Sequence, residues 1–218
     1  MGTCRVLIVD PHPASREGLA WRISQQSKMS VCAEAKSIEQ ALEQLEQSRP
    51  DAVVIEMNLS DGSGLTLVRQ IKSRNYPVAI LLWAASAEPL YAERAIRAGA
   101  LGFICKTQST QEVVEAIRTV ARHQLYLDEA LFQELLSRSL NRSQDHKTHL
   151  ADALSNRELE IFTLIGQGLA TRTIAQRLSI SPNTVETHRS RIKQKLHLKS
   201  GAELTTRASR WLLERDPP

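Results

Sequence analysis

The rhythm of apolar positions changes twice along the chain. Over the first 122 residues, short apolar runs alternate with amphipathic stretches. The runs are Arg5-Val-Leu-Ile-Val9, Val31-Cys-Ala-Glu-Ala35, Ala52-Val-Val-Ile55, Val78-Ala-Ile-Leu-Leu-Trp83 and Leu101-Gly-Phe-Ile-Cys105. Their length and β-branched content predict buried strands. Residues 14–25, 37–47, 65–74, 89–98 and 110–122 carry helical spacing instead. Ser37 stands at an N-cap position with Gln40 three residues on, a capping-box spacing, and Gly99 stops the helix before it. Five strands, each followed by a helix, predict an α/β domain with a parallel sheet covered on both faces. Right-handed crossovers make it a flavodoxin-like, doubly wound five-stranded sheet. Sites in such sheets lie at the C-terminal strand ends, which here carry Asp10, Glu56, Ala84 and Lys106.

Past residue 122 the pattern thins. Residues 128–140 are predicted as a helix, and 141–149 are nearly devoid of apolar side chains, a linker composition. From 155 onward the chain reads as short helices separated by polar turns, with no strand signal. The expected organisation is 1–122, a linker with a helix at 123–150, and a separate all-α domain at 151–218. In that last segment Ser155 and Glu158 form a capping-box spacing. Leu159, Phe162 and Ile165 share one face. A helix over 171–178 follows. Then comes a turn at 179–181 and a helix from Pro182 to about residue 196, capped by Ser181. Val185, Ile192, Leu196 and one of His188 or Arg189 take its inward positions.

Composition sharpens this picture at one end. The net charge of +4 is uneven: residues 150–218 hold 11 Lys+Arg against 7 Asp+Glu, whereas 1–122 hold 14 against 13. An anionic partner for the C-terminal segment is implied, with double-stranded DNA first. A short helix, a tight turn and a second helix rich in short polar and basic groups is a helix-turn-helix arrangement that suits a major groove. On the 181–196 helix, Thr187 and Ser190 can reach base edges and Glu186 can accept from a cytosine amino group. Thr184, Arg191 and Lys195 are placed for phosphates, Asn183 lies on the same outer surface, and His188 joins the DNA-binding candidates if Arg189 takes the inward place. A plain solvated basic helix is the competing reading. The three cysteines, Cys4, Cys32 and Cys105, are too few and scattered for a disulfide framework or a zinc site, and fit a reducing cytosol. No apolar run approaches membrane-spanning length, and no signal peptide is evident. The expectation is a cytoplasmic protein with no membrane, metal or cofactor requirement and no enzymatic activity.

Leu154-Ser-Asn-Arg-Glu158, Gly168-Leu-Ala-Thr-Arg-Thr-Ile-Ala175, Ser181-Pro-Asn-Thr-Val-Glu-Thr-His188 and Lys195-Leu196 together resemble the LuxR-type helix-turn-helix domain over about 60 residues. The resemblance implies a four-helix module with the 181–196 helix in the major groove. It also implies a last helix, about 201–213, that forms a dimer contact on DNA through Leu204, Ala208 and Trp211. The alternative for Trp211 is packing within its own domain. A homodimer is expected, since one short helix reads few bases and two-fold symmetry doubles the site.

Joined to such a domain, residues 1–122 resemble the receiver of a NarL/FixJ-type response regulator. Lys106 matches that family's phosphate-contacting lysine, Asp10 one of its two metal-binding acids, and Phe103 its aromatic switch position. Three positions depart. Pro11 replaces the second acid, Glu56 the phosphoacceptor aspartate, and Ala84 the hydroxyl residue that binds the phosphoryl group. These losses predict a receiver that is not phosphorylated in the usual way. Glu56 either imitates the phosphorylated state by a fixed charge beside Lys106, or satisfies Lys106 in a pocket that has lost its chemistry. Two other inputs stay open: conventional phosphoryl acceptance, and sensing of a small molecule or redox state, for which Cys105 is the candidate thiol. Other regulatory proteins are possible partners.

Overall fold

The computed structural model describes residues 2–85, 89–140, 153–178 and 180–215. The chain divides into two compact units, Met1–Arg142 and Ser143–Pro218. The expected linker over 141–149 lies outside the described residues. The helix predicted just before it packs in the first unit, against the helix Pro89–Ala98, and so is part of that domain's surface.

The first unit is a five-stranded parallel sheet in the order β2-β1-β3-β6-β7. Its strands are β1 (Cys4–Val9), β2 (Met29–Ala35), β3 (Ala52–Glu56), β6 (Ala79–Ala84) and β7 (Gly102–Cys105). Between them run α1 (Pro13–Ser24), α2 (Ile38–Ser48), α3 (Gly64–Ser73) and α4 (Pro89–Ala98), followed by α5 (Thr110–Ala121) and α6 (Glu129–Leu140). Every residue of β3 and β6 is buried, as expected where helices cover both faces of a sheet. Val6, Ile8, Val54, Leu81, Trp83 and Ile104 on one face pack with Leu19 and Ile23 of α1 and with Val113, Val114 and Ile117 of α5. This strand order reverses between β1 and β3, the crevice where doubly wound sheets place their sites. The β1–β2 register slips by one residue at Val6/Leu7.

Two local expectations change. A small antiparallel pair, β4 (Asn58–Leu59) and β5 (Gly62–Ser63), folds the segment after Glu56 into a hairpin. Its turn is tied to α2: Asp61 accepts the backbone N–H groups of Ile38 and Glu39, and Ser60 donates to the Lys36 carbonyl. The capping box at Ser37 is half formed. Ser37 Oγ accepts the Gln40 amide, but Gln40 Oε1 reaches the Lys36 amide, one residue short of the predicted partner. Asp61 supplies the remaining cap from outside the helix.

The second unit is all α: α7 (Asn156–Gly166), α8 (Thr171–Arg177), α9 (Pro182–Lys195) and α10 (Gly201–Arg215). The capping box of Ser155 and Glu158 forms in full, and Ser181 caps α9 through the Thr184 amide. Leu159, Phe162, Ile174, Val185, Ile192 and Leu204 are fully buried. Gly166 permits a close approach of α10, since a Cβ there would meet the Ala208 carbonyl at 2.7 Å.

Candidate regulatory pocket and nucleic-acid interface

The C-terminal ends of β1, β3 and β7 converge on one ammonium group. Lys106 Nζ lies 2.5 Å from Asp10 Oδ2 and also bonds Glu56 Oε2. Asp10 is 0% exposed and Glu56 3%. The Lys106 amide donates to the Ala84 carbonyl at 2.7 Å, fixing the base of its side chain. The ammonium also sits 4.8 Å from the centroid of the Trp83 ring, within the range of a cation–π contact. Trp83 is thus both a core residue and a wall of the pocket.

The remaining carboxylate oxygens are engaged as well. Asp10 Oδ1 accepts the His12 amide at 2.8 Å and lies 3.0 Å from His12 Nδ1. Glu56 Oε1 accepts the Asn58 amide at 3.1 Å. Burial pushes the Glu56 carboxyl above the usual glutamate range; Lys106 and the Asn58 amide pull the other way and do not overcome it. A buried acid held above its ordinary value is what desolvation produces.

The receiver resemblance implies Mg²⁺ here, and the donor set does not fit it. Magnesium needs near-octahedral oxygen ligation. Pro11 offers no carboxylate, and Asp10 Oδ2 and Glu56 Oε2 both face Lys106. Among the described residues no group of three or more His, Cys, Asp or Glu side chains could hold a metal. Ala84, the position to which the resemblance assigns a hydroxyl, is 2% exposed and carries only a methyl group.

Two sequence expectations concerning this domain take definite form. Phe103 is fully buried, so its ring is a core side chain in this arrangement. Its amide donates to the Tyr126 carbonyl, which docks the segment after α5 onto the sheet edge. Cys105 is buried, with the Thr107 hydroxyl 3.1 Å from its sulfur, and the redox reading gains no support there. Trp83, next to Ala84 in the chain, is suggested by its position either for the pocket mouth or for the core, and it serves both. His12 was missed as a pocket residue. The Asp10-Pro-His12 run did carry a signal for it, since an aspartate accepting the amide two residues on is a common turn device.

In the second unit α9 lies against α7 and α8 through Val185 and Ile192. Asn183, Thr184, Glu186, Thr187, Ser190 and Arg191 are exposed on it. Three expectations take a different form. Lys195 is paired with Glu158 at 2.6 Å, closing α9 onto the first turn of α7, so its ammonium has a protein partner before any phosphate arrives. Burial alone would raise the Glu158 carboxyl; Lys195 and the Ser155 amide and hydroxyl together bring it below the usual range. His188 is half-buried, with its Nδ1 enclosed and, among the described residues, without a hydrogen-bond partner. Burial first, and then the Arg157 guanidinium, hold its imidazole below the ordinary histidine value. It belongs to the seam with α7, and the exposed polar face of α9 lies beside it.

The third of these concerns α10. Leu204 and Ala208 are 0% exposed and Trp211 is 7%, with the Trp211 ring edge-on to Phe162 at 5.7 Å. These three side chains build the domain's own core. The exposed surface of the helix carries Ala202, Thr205, Thr206 and Arg207.

A doubly wound receiver with its pocket at the strand ends, joined to a four-helix unit, defines a class: response regulators. Residues 6–118 match the response regulator receiver domain, and residues 152–208 match the bacterial regulatory proteins of the luxR family. The chain belongs to this family of response regulators and regulates transcription. It is 32% identical over 205 residues to the oxygen regulatory protein NreC of Staphylococcus epidermidis, spanning 92% of this chain and 94% of that protein. It is 33% identical over 199 residues to the transcriptional activator protein ExaE of Pseudomonas putida, spanning 91% and 92%. A crystal structure of a LuxR-family two-component response regulator from Aurantimonas sp. SI85-9A1 matches 64% of this chain and 99% of that one, at 27% identity and TM-score 0.60. Among the described residues no helix is long and apolar enough to cross a membrane.

Proposed function

We propose that this protein is a sequence-specific DNA-binding regulator whose receiver works without phosphoryl transfer to residue 56. The observation that carries this reading is the Lys106 ammonium, closed between two buried carboxylates. Phosphoryl transfer depends on a metal that neutralises developing charge and on placed donors around the transferred group. Here the acceptor carboxylate is a bonded partner of the lysine, Pro11 stands in place of one metal-binding acid, and the hydroxyl is lost at Ala84. Glu56 serves as a structural partner of Lys106. A carboxylate matched by an adjacent ammonium, and biased by burial toward its neutral form, is a poor imitation of a doubly charged phosphate.

The output reading rests on the exposed polar face of α9. Thr187 and Ser190 are exposed toward base edges, the Thr187 hydroxyl donating to the Asn183 carbonyl and keeping its oxygen as an acceptor, and Arg191 takes a phosphate. Binding as a homodimer doubles the site. On α10 the surface available to a second copy is Ala202, Thr205 and Thr206, in place of the buried trio. Retention on DNA measured across a salt series tests both halves. Arg191→Ala is expected to weaken binding to all sequences and to lower the salt slope by about 1. Glu56→Gln is expected to bind like the unmodified protein. Unchanged binding by Arg191→Ala would remove the phosphate assignment. A loss of affinity confined to Glu56→Gln would favour a charge-mimicking role for Glu56.

A further inference from the structure

Glu186 does not stand on α9 as a loose surface acid. The Thr171 hydroxyl, at the first position of α8, donates to Glu186 Oε1 at 2.8 Å. Arg189 Nε lies 3.6 Å from the same oxygen. Thr171 is not a cap: Ala170 occupies that position and makes no side-chain bond, so the hydroxyl is directed across the turn to the neighbouring helix. Both ties use one oxygen. Among the described residues nothing in the protein bonds the other, Oε2, and the side chain remains 58% exposed. It sits in one row with Asn183 and Ser190, at helical spacing on the face that carries Thr187.

We infer that Glu186 is a specificity-determining residue for a cytosine in the major groove, held in position by Thr171 and Arg189. This rests on the DNA-binding reading above. A fixed carboxylate oxygen is an acceptor with no donor of its own. Of the four bases, cytosine presents only its N4 amino donor in the major groove. Guanine offers two acceptors and thymine an acceptor and a methyl group, and both reject a carboxylate. Adenine offers a donor beside the N7 acceptor, which a carboxylate also meets unfavourably. Holding the carboxylate by a bond from α8 reduces the freedom lost on binding and narrows the positions it can take, which is what selective polar recognition needs.

Selection of binding sites from a random duplex library, with the full-length protein and two variants, tests this. The unmodified protein is expected to recover sites with cytosine at one position of each half-site, preferred by about 5- to 150-fold. Glu186→Gln is expected to move that position, and no other, toward adenine, which a side-chain amide reads through N6 and N7. Thr171→Val keeps the shape and removes the donor. It is expected to relax the same position by about two- to tenfold, with non-specific affinity and salt slope unchanged. A merely structural role for Thr171 would weaken all positions together. Equal preference at every position in all three proteins overturns the inference. Recovery of no sequence by the unmodified protein overturns the DNA-binding reading, and this one with it.

Discussion

Lys106→Met is expected to destabilise the N-terminal unit by about 3–5 kcal/mol, the range found when one partner of a buried ion pair is removed. The side chain loses little volume, so packing contributes little to the loss. What remains is two buried carboxylates, Asp10 and Glu56, facing each other without their shared cation. The Glu56 carboxyl already lies above its usual range with Lys106 present, so it would take up a proton and limit the loss. Urea denaturation of the full chain, followed by a probe confined to the receiver, reads the effect. Combining Lys106→Met with Glu56→Gln should recover part of it, because one of the two stranded charges is gone. A loss below about 1 kcal/mol, the level of a surface ion pair, would show that the pocket is wetter than its burial implies.

Trp211→Ala is expected to cost the C-terminal unit about 3–5 kcal/mol, as truncation of a buried aromatic does. The ring is 7% exposed and packs edge-on against Phe162, itself fully buried. The outcome separates two roles that an apolar stripe on α10 cannot. A core role lowers stability at every protein concentration. A dimer-contact role leaves the isolated monomer unchanged and makes DNA binding less cooperative. Thermal unfolding at two widely separated concentrations decides between them, and the core role predicts the same loss at both.

Much of this architecture was legible in the residues because burial on two faces leaves a plain mark. The unbroken apolar runs at Val53, Val54 and Ile55 or at Leu81 and Leu82 admit only interior strands. Ser155 and Glu158 announce the start of α7 through local bonds alone. The hairpin at Asn58–Leu59 and Gly62–Ser63 was hidden because two-residue strands show no periodicity. A capping role suits Asp61 from its place in the loop, but the helix it caps is α2, 22 and 23 residues away, which spacing does not reveal. The pocket was legible in its members and not in its wiring. Asp10, Glu56 and Lys106 stand at strand ends, but the Trp83 ring over the ammonium and the His12 bonds to Asp10 arise only once β1, β3, β6 and β7 are aligned. On the output side the ambiguity had one cause. Lys195, His188, Leu204, Ala208 and Trp211 occupy positions whose side chains suit either a partner or the domain's own seams. Only the 37-residue reach from Lys195 to Glu158 and the approach of α10 to Gly166 distinguish the two.

The receiver pocket is already filled by its own lysine. Incubation of the full-length protein with acetyl phosphate and Mg²⁺, followed by intact-mass measurement, tests that directly. The predicted result is an unchanged mass, with Lys106 still closed between Asp10 and Glu56. A gain of one phosphoryl group, mapped to Glu56 and lost in Glu56→Gln, would contradict it.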